Sequence, residues 1–146
     1  MSVPRILLDT NVLSELMRPR PEPKVLDWFA AQGAQTRFVI SAITQAEVLL
    51  GIALLPAGKK RTALAGVAQA MFEQEFHGLN LPFDEHAAPV YAGIVAQRSR
   101  SGAPISVEDA QIAAIALHHR LPLATRNIKD FARLPGLETI DPWERV

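Results

Sequence analysis

Three acidic residues stand in apolar segments of this chain, where a carboxylate needs an explanation. Asp9 ends the apolar run RILL, Glu47 lies within ITQAEVLLGIALL, and Asp109 opens the alanine-rich segment SVEDAQIAAIALHHR. If the three side chains meet, their mutual repulsion requires either a bound proton or a cation between them. Oxygen ligands, with no cysteine in the chain and no histidine near these motifs, favour Mg²⁺ or Mn²⁺ over Zn²⁺. Such an ion activates water and stabilises charge on phosphate oxygens, which is the chemistry of phosphodiester hydrolysis.

Helix capping is the competing explanation for the same three acids. Asp9 has the character of a turn residue or an N-cap, Thr44 and Glu47 have the spacing of a capping box, and Ser106 with Asp109 nearly has it. Taken singly, capping is the commoner role of such residues. Taken jointly, capping does not explain why all three acids should lie at one edge of a sheet. Their convergence is a hypothesis, because sequence alone carries no distances.

A fourth contribution to this site is expected from the segment ATRNIKDF, residues 124–131. Asn127 and Asp130 are three positions apart, so they face the same way if a helical turn begins there. Thr125 offers a hydroxyl group, and Arg126 and Lys129 offer cations for a phosphate. The alternative is a capped strand-to-helix turn with solvated charges, and for the two cations alone this alternative is favoured.

Short apolar segments alternate with longer helical patterns along the chain. Strands are predicted at 5–9, 37–41, 79–83, 122–125 and 137–140. Helices are predicted before the proline-rich segment 18–24, and then over 25–33, 43–55, 59–76, 86–102 and 106–120. This alternation predicts an α/β domain with a largely parallel sheet covered on both faces. The carboxyl ends of the strands, where Asp9 lies, then form the usual ligand crevice.

Composition limits the other possibilities. We treat residues 1–146 as a single domain, because no linker, repeat or low-complexity tract interrupts them. With 15 basic and 15 acidic residues, the net charge does not steer the protein towards nucleic acid or membranes. The hydrophobic fraction of 49% and the helix at 43–55, which is apolar nearly all round and therefore expected to be buried, indicate an oligomer. The absence of cysteine, of a signal peptide and of any membrane-length apolar run predicts a cytoplasmic protein.

Four motifs in order resemble those of the PIN-domain nucleases, and in particular the FitB-like branch of the VapC-type toxins. The motifs are LLDTNVLSEL, SAITQAEVLLGI, SVEDAQIAAIAL and LATRNIKDF, and the segments RPRPEP and LPFDEHAAPVYAGI are also typical of that branch. The resemblance covers almost the whole chain. It implies a three-layer α/β/α PIN-like domain with a mainly parallel sheet of about five strands. It also implies a homodimer that cleaves RNA with Mg²⁺ or Mn²⁺, is inhibited by a cognate antitoxin, and could form a hetero-oligomer with that antitoxin on DNA.

The resemblance also assigns roles to individual residues. Asp9, Glu47 and Asp109 match the family's first acid, its helix glutamate and its third acid. Asn11 matches the polar residue that supports the first acid, and Thr125 the hydroxyl that opens the last motif. The full expected site comprises catalytic residues (Asp9, Glu47, Asp109, Asn127, Asp130), metal ligands (Asp9, Glu47, Asp109, Asn127) and supporting residues (Asn11, Thr125, Arg126).

One position departs from the family pattern. Where many relatives have an aspartate two residues after the threonine, this chain has Asn127. An amide can bind a metal or a water molecule but contributes no charge, so the number of metal ions, one or two, stays open. Asp130 is a candidate to compensate.

Two other classes of function remain open at this stage. A haloacid dehalogenase-type phosphatase also begins with an aspartate after an apolar strand, but it needs a second aspartate two residues later, and this chain has Asn11 there. The other class is a catalytically weak or inactive module that binds nucleic acid or a partner protein through the acidic pocket. Asn127 is the residue that favours this second alternative.

Overall fold

The short apolar segments form one sheet of five parallel strands in the computed structural model, which describes residues 3–144. The strands are β1 Arg5–Leu8, β2 Arg37–Ser41, β3 Asn80–Leu81, β4 Leu123–Ala124 and β5 Thr139–Ile140. Their order is β3-β2-β1-β4-β5, and each neighbouring pair is parallel. The prediction of a mainly parallel five-stranded sheet is confirmed. Residues 1–2 and 145–146, the ends of the single domain predicted for 1–146, lie outside the described part.

Seven α-helices connect and cover these strands within residues 3–144. They are α1 Thr10–Leu16, α2 Pro23–Ala31, α3 Ala42–Ala53, α4 Lys59–Ala70, α5 Ala87–Arg100, α6 Val107–His119 and α7 Ile128–Phe131. The helix predicted over 59–76 is α-helical only to Ala70 and continues as a π-helical turn, Met71–Glu75. No helix in the described range is long and apolar enough to cross a membrane.

The sheet lies between two apolar layers because alternate residues of a strand point to opposite faces. Leu7 of β1 and Val39 of β2 pack on one face, in a cluster formed mainly with α5 and α6. Leu8 of β1 and Ile40 of β2 pack on the other face, in a cluster that includes Val12 of α1 and residues of α2, α3 and α4. Both faces are therefore covered, as the nearly continuous apolar strands predict. The result is the expected α/β/α arrangement.

The start of α3 differs from the predicted one. Ser41 is the N-cap, and its hydroxyl accepts a hydrogen bond from the backbone N–H of Thr44 at 3.1 Å. The predicted capping box of Thr44 and Glu47 is therefore wrong, and Glu47 lies in the second turn instead of the first. The physical reason is that Ser41 has two roles, since it ends the apolar strand segment RFVIS and also caps α3. Glu47 thus has no capping role that would explain its presence.

The expectation that α3 is buried is wrong for the single chain. Its inward face carries Thr44, Val48 and Ile52, but Leu50 is 59% exposed and Leu54, the C-cap of α3, is 75% exposed. Leu49 is also exposed, at 45%. Exposed leucines grouped on one helix indicate a surface that another chain covers.

We therefore expect replacement of Leu50 and Leu54 by serine to weaken self-association of the purified chain, because it removes apolar area from that surface. Sedimentation velocity measures the oligomeric state. The matched control is Leu26→Ser, which changes an exposed leucine of α2. If the double variant and the control sediment like the unchanged protein, the leucines of α3 do not hold copies of this chain together.

Candidate active site

Asp9 lies at the carboxyl end of β1, between the ends of β2 and β4. Its backbone N–H donates to the carbonyl of Ala124 at 2.9 Å, which ties it to β4. Its side chain is at the N-cap of α1, where Oδ1 accepts from the backbone N–H of Thr10 at 2.8 Å. The residue is only 3% exposed. Asp9 is therefore both a cap, as the competing explanation held, and a buried acid at the predicted crevice.

Asn11 and Thr125 hold the other oxygen of the Asp9 carboxylate. The Thr125 hydroxyl donates to Oδ2 at 2.7 Å, and Nδ2 of Asn11 donates to the same oxygen at 3.3 Å. Asn11 in turn accepts the backbone N–H of Arg126 at 3.1 Å, and the Thr125 hydroxyl accepts that of Asn127 at 3.0 Å. This network joins the loop after β1 to the loop after β4. Asn11 and Thr125 thus contact the Asp9 carboxylate directly, and their supporting roles in the reaction stay predictions.

Glu47 is held by Thr10, which in turn contacts Thr44, and the sequence reasoning missed both threonines. The hydroxyl of Thr10 donates to Oε1 of Glu47 at 2.7 Å and lies 3.0 Å from the hydroxyl of Thr44. Because the single proton of Thr10 is used on the carboxylate, Thr44 is the donor in that second contact. Two signals could have identified these residues: Thr10 is adjacent to Asp9, and Thr44 precedes Glu47 by three positions on α3.

Asp109 reaches the same edge from α6. Its backbone N–H donates to the hydroxyl of Ser106, the N-cap, at 3.1 Å, as the near capping box predicted. Partial burial raises the pKa of Asp109, and the negative charges of Asp130, Glu47 and Glu108 raise it further, although the Ser106 contact lowers it. Carboxylates from α3, α6 and α7 therefore act on one another at this edge.

The pKa of Asp9 also reflects the proximity of the other two acids. Burial raises it from 3.8 to about 6, against the lowering effect of the hydrogen bonds from Thr125 and Thr10, and the charges of Asp109 and Glu47 raise it further. The structure thus brings the three acids that the sequence singled out into one electrostatic environment. A cation placed among them would favour the ionised form of each.

Asn127 and Asp130, the remaining candidates from the last motif, are more exposed than these acids. Asn127 precedes α7 and Asp130 lies within it, and both side chains are exposed at the rim of the site. Asp130 acts on Asp109 through its charge. The guanidinium of Arg126 lies over the ring of Trp143, 4.9 Å from its centroid. Its cation is therefore engaged by an aromatic face in this structure, while its backbone N–H supports Asn11.

The donor atoms suit a divalent cation, although they do not form a complete set of ligands around one. Within residues 3–144, no three His, Asp or Glu side chains lie close enough together to ligate one ion directly. Mg²⁺ usually keeps several water ligands and is held by one or two carboxylates, so a complete cage is not required. The donors here are oxygen atoms, and the Asp9 carboxylate uses three of about four acceptor positions on hydrogen bonds. The donor set suits Mg²⁺ or Mn²⁺, and the ligand assignments stay predictions.

A groove of ≈ 460 Å³ opens beside Glu47, between α1, α3 and α4. Its walls are largely apolar and include Val48, Ile52 and Leu64. Lys60 contributes positive charge, whereas the guanidinium of Arg18 is paired with Glu15 at 3.1 Å. Thr10 also lines it. The acidic site and an apolar surface therefore adjoin each other.

The raised pKa of Asp9 predicts a pH-dependent cost to the metal-free fold. Because the folded-state pKa lies above the ordinary value of 3.8, the favourable contribution of protonated Asp9 is fully present below pH 4 and is lost as the pH rises through 6. Asp9→Asn removes this cost. We expect the free energy of unfolding of Asp9→Asn, minus that of the unchanged protein, to increase by up to about 3 kcal/mol between pH 4 and pH 7. Urea titrations in EDTA measure both free energies. A difference that does not vary with pH would contradict this account of Asp9.

Comparison with known proteins places this arrangement in a family. The chain is 42% identical over 139 residues to the VapC ribonuclease Y4jK of Sinorhizobium fredii, covering 95% of this chain and 98% of the relative. It is 40% identical over 138 residues to toxin FitB of Neisseria gonorrhoeae, covering 94% and 98%.

Solved structures give the same result for the fold. The structure of FitAB bound to IR36 DNA superposes with a TM-score of 0.85 at 38% identity, covering 97% of both chains. A toxin-antitoxin complex from Klebsiella pneumoniae superposes with a TM-score of 0.67 at 31% identity, covering 96% of this chain and 99% of the other. The PIN domain family model matches residues 6–137, which include the end of β1, the helices α3 and α6, and the loop after β4. This chain belongs to the PIN domain family.

Proposed function

We propose that this protein is the toxin of a VapBC-type toxin-antitoxin pair and that it hydrolyses RNA phosphodiester bonds as an Mg²⁺- or Mn²⁺-dependent endoribonuclease. The observation that carries the proposal is the buried Asp9 carboxylate, which shares one edge of the sheet with Glu47 and Asp109. The relatives named ribonuclease and toxin align over nearly the full chain, and this supports the same activity here.

Each residue of the site has its own role in the proposed reaction. Asp9 and Asp109 would hold the cation, and Asn127 and Asp130 would complete its surroundings from the rim. When bound, the ion supplies an activated water molecule and offsets negative charge that develops on the phosphate. Glu47 orients the attacking water or binds the ion, and Thr10 fixes the direction of its carboxylate through the 2.7 Å hydrogen bond.

A partner protein fits the surface next to this site. The groove beside Glu47 has apolar walls with Lys60 among its lining residues, so an apolar segment that carries a carboxylate opposite Lys60 would be complementary to it. An antitoxin bound there would cover the approach to Glu47. The similar solved structures are complexes described as FitAB on DNA and as toxin with antitoxin, and they support a partner of this kind, together with a larger assembly on DNA.

One alternative retains a specific observation in its favour. Asn127 brings no charge, and the acids of residues 3–144 do not form a complete three-ligand cluster. Both features suit a catalytically weak module that binds nucleic acid or a partner through the pocket. The phosphatase alternative loses support, because Asn11 occupies the position of the required second aspartate and is bonded to Asp9.

The primary test is cleavage of a mixed pool of structured and single-stranded RNAs by the purified chain without antitoxin, in Mg²⁺, Mn²⁺ or EDTA. We expect cleavage that requires metal and that falls at least about 100-fold in Asp109→Asn, since removing even an indirect partner of a metal commonly costs 10–100-fold. Glu108→Gln is the matched control, because it removes the adjacent, exposed acid of the same helical turn. Absence of cleavage by a folded protein, or equal cleavage by Asp109→Asn, would favour the binding module instead.

The role of Thr10 has its own test. Thr10→Val keeps the shape of the side chain but removes the donor to Glu47, so we expect a loss of about 10-fold in kcat with little change in KM. Thr10→Ser restores the hydroxyl and should recover most of the rate. If valine and serine behave alike in single-turnover cleavage, the contact between Thr10 and Glu47 does not position the carboxylate for catalysis.

A further inference from the structure

A second cavity, of ≈ 320 Å³, lies between the end of α5 and the segment that follows α7. Three of its lining residues are cations, Arg98, Lys129 and Arg133, and Gln97 and Ser101 add polar groups. No acidic residue of the described range lines it. Liquid water occupies about 30 Å³ per molecule, so the cavity has room for a phosphate group and several waters. We refer to it as the α5–α7 cavity.

Arg98 gives this cavity a buried positive charge. Only 8% of the residue is exposed, and its guanidinium donates to three backbone carbonyls: Ala103 at 2.7 Å, Ala132 at 3.0 Å and Asp130 at 3.2 Å. Within residues 3–144, no carboxylate forms an ion pair with it. A buried charge without a counterion is costly, and an anion in the adjoining cavity would offset that cost.

Arg133 lies in the cavity wall with a strained backbone. Its φ of 64° is in the left-handed region, where glycine is favoured and other residues cost about 1–2 kcal/mol. A glycine at this position would relieve the strain but would also remove the cation.

The α5–α7 cavity is joined to the acidic site through α7. Lys129 precedes Asp130, and the carbonyl of Asp130 is one of the groups that Arg98 holds. A nucleic acid strand that runs from Asp109 along α7 would therefore approach a cavity whose charge is opposite to that of its phosphates. Without a bound cation the acidic pocket repels RNA, so cations nearby are needed to retain the strand.

We propose that the α5–α7 cavity binds a backbone phosphate of the RNA next to the one that is cleaved, with Arg133 and Lys129 as the contacting cations. The proposal rests on the RNA-cleaving function proposed above. Arg98 holds α7 through its hydrogen bonds to the carbonyls of Asp130 and Ala132, and its buried charge adds positive potential to the cavity. The role is one of substrate binding, so it predicts an effect on affinity and on KM, and not on the chemical step.

The test compares two arginine-to-glycine substitutions. Each removes the same charge from a residue with the same kind of backbone conformation. Arg133 and Arg120 both have positive φ, 64° and 57°, and Arg120 follows α6 and does not line the α5–α7 cavity. Arg133→Gly and Arg120→Gly each remove one cation and relieve one strained residue. Binding of a fluorescein-labelled single-stranded RNA is measured by anisotropy in EDTA, where no metal-dependent cleavage occurs, at several KCl concentrations. Inorganic phosphate is the competitor.

We expect Arg133→Gly to weaken RNA binding several-fold, to lower the salt slope by about 0.7, as for one lost contact to a single strand, and to reduce competition by inorganic phosphate. Arg120→Gly should leave all three unchanged. Lys129→Gln should act like Arg133→Gly, with Lys24→Gln on α2 as its control. In Mg²⁺, KM should rise several-fold while kcat stays within about twofold.

Equal effects of Arg133→Gly and Arg120→Gly, or no effect of either, would overturn the proposal. If the proposed ribonuclease function is wrong, the experiments give a different result from the one that overturns the cavity proposal. In that case no variant cleaves RNA in any metal, while the binding and phosphate competition measured in EDTA still decide whether the α5–α7 cavity holds an anion.

Discussion

The active edge of this protein depends on a carboxylate held where water is largely excluded. Asp9 ends the central strand of a sheet that is covered on both faces, so its charge has little solvent to stabilise it. Donors from Thr10, Asn11 and Thr125 offset part of that cost, yet the pKa of Asp9 still rises to about 6. An acid in this position destabilises the metal-free fold, and a cation would turn the same feature into a source of affinity.

The hydrogen-bond network around Asp9 has two arms that serve different purposes. On the α1 side, Thr10 connects the start of that helix to Glu47 on α3 and thereby fixes the second carboxylate. On the β4 side, Thr125 joins the Asp9 carboxylate to the loop that leads to α7. Asp109 joins from α6 through charge rather than through a direct hydrogen bond. The site is thus preorganised on one side and open on the other, which suits the binding of a metal and of a substrate strand.

Much of the fold was predictable because its signals are local. All five strands lie within the predicted segments, since short apolar runs that stop at polar residues leave few alternatives. The spacing between Ser106 and Asp109 also predicted the N-cap role of Ser106. The errors arose where one residue has two local roles: Ser41 ends β2 and also caps α3, so the helix begins earlier than predicted. The exposure of Leu50 and Leu54 could not be read from an evenly apolar helix, because the pattern does not show which face meets the sheet.

The sequence by itself singled out Asp9, Glu47 and Asp109, because these acids interrupt apolar segments that have no need of charge. It also determined the alternation of strands and helices that brings the carboxyl ends of the strands to one edge. Only the tertiary structure decided how those acids are held: the bonds from Thr10 to Glu47 and from Thr125 to Asp9 span 37 and 116 positions of the chain. The same is true of the carbonyls bound by Arg98 and of the stacking of Arg126 on Trp143. Side-chain partners so distant along the chain leave no periodic pattern, and so they become visible only when the strands and helices are packed.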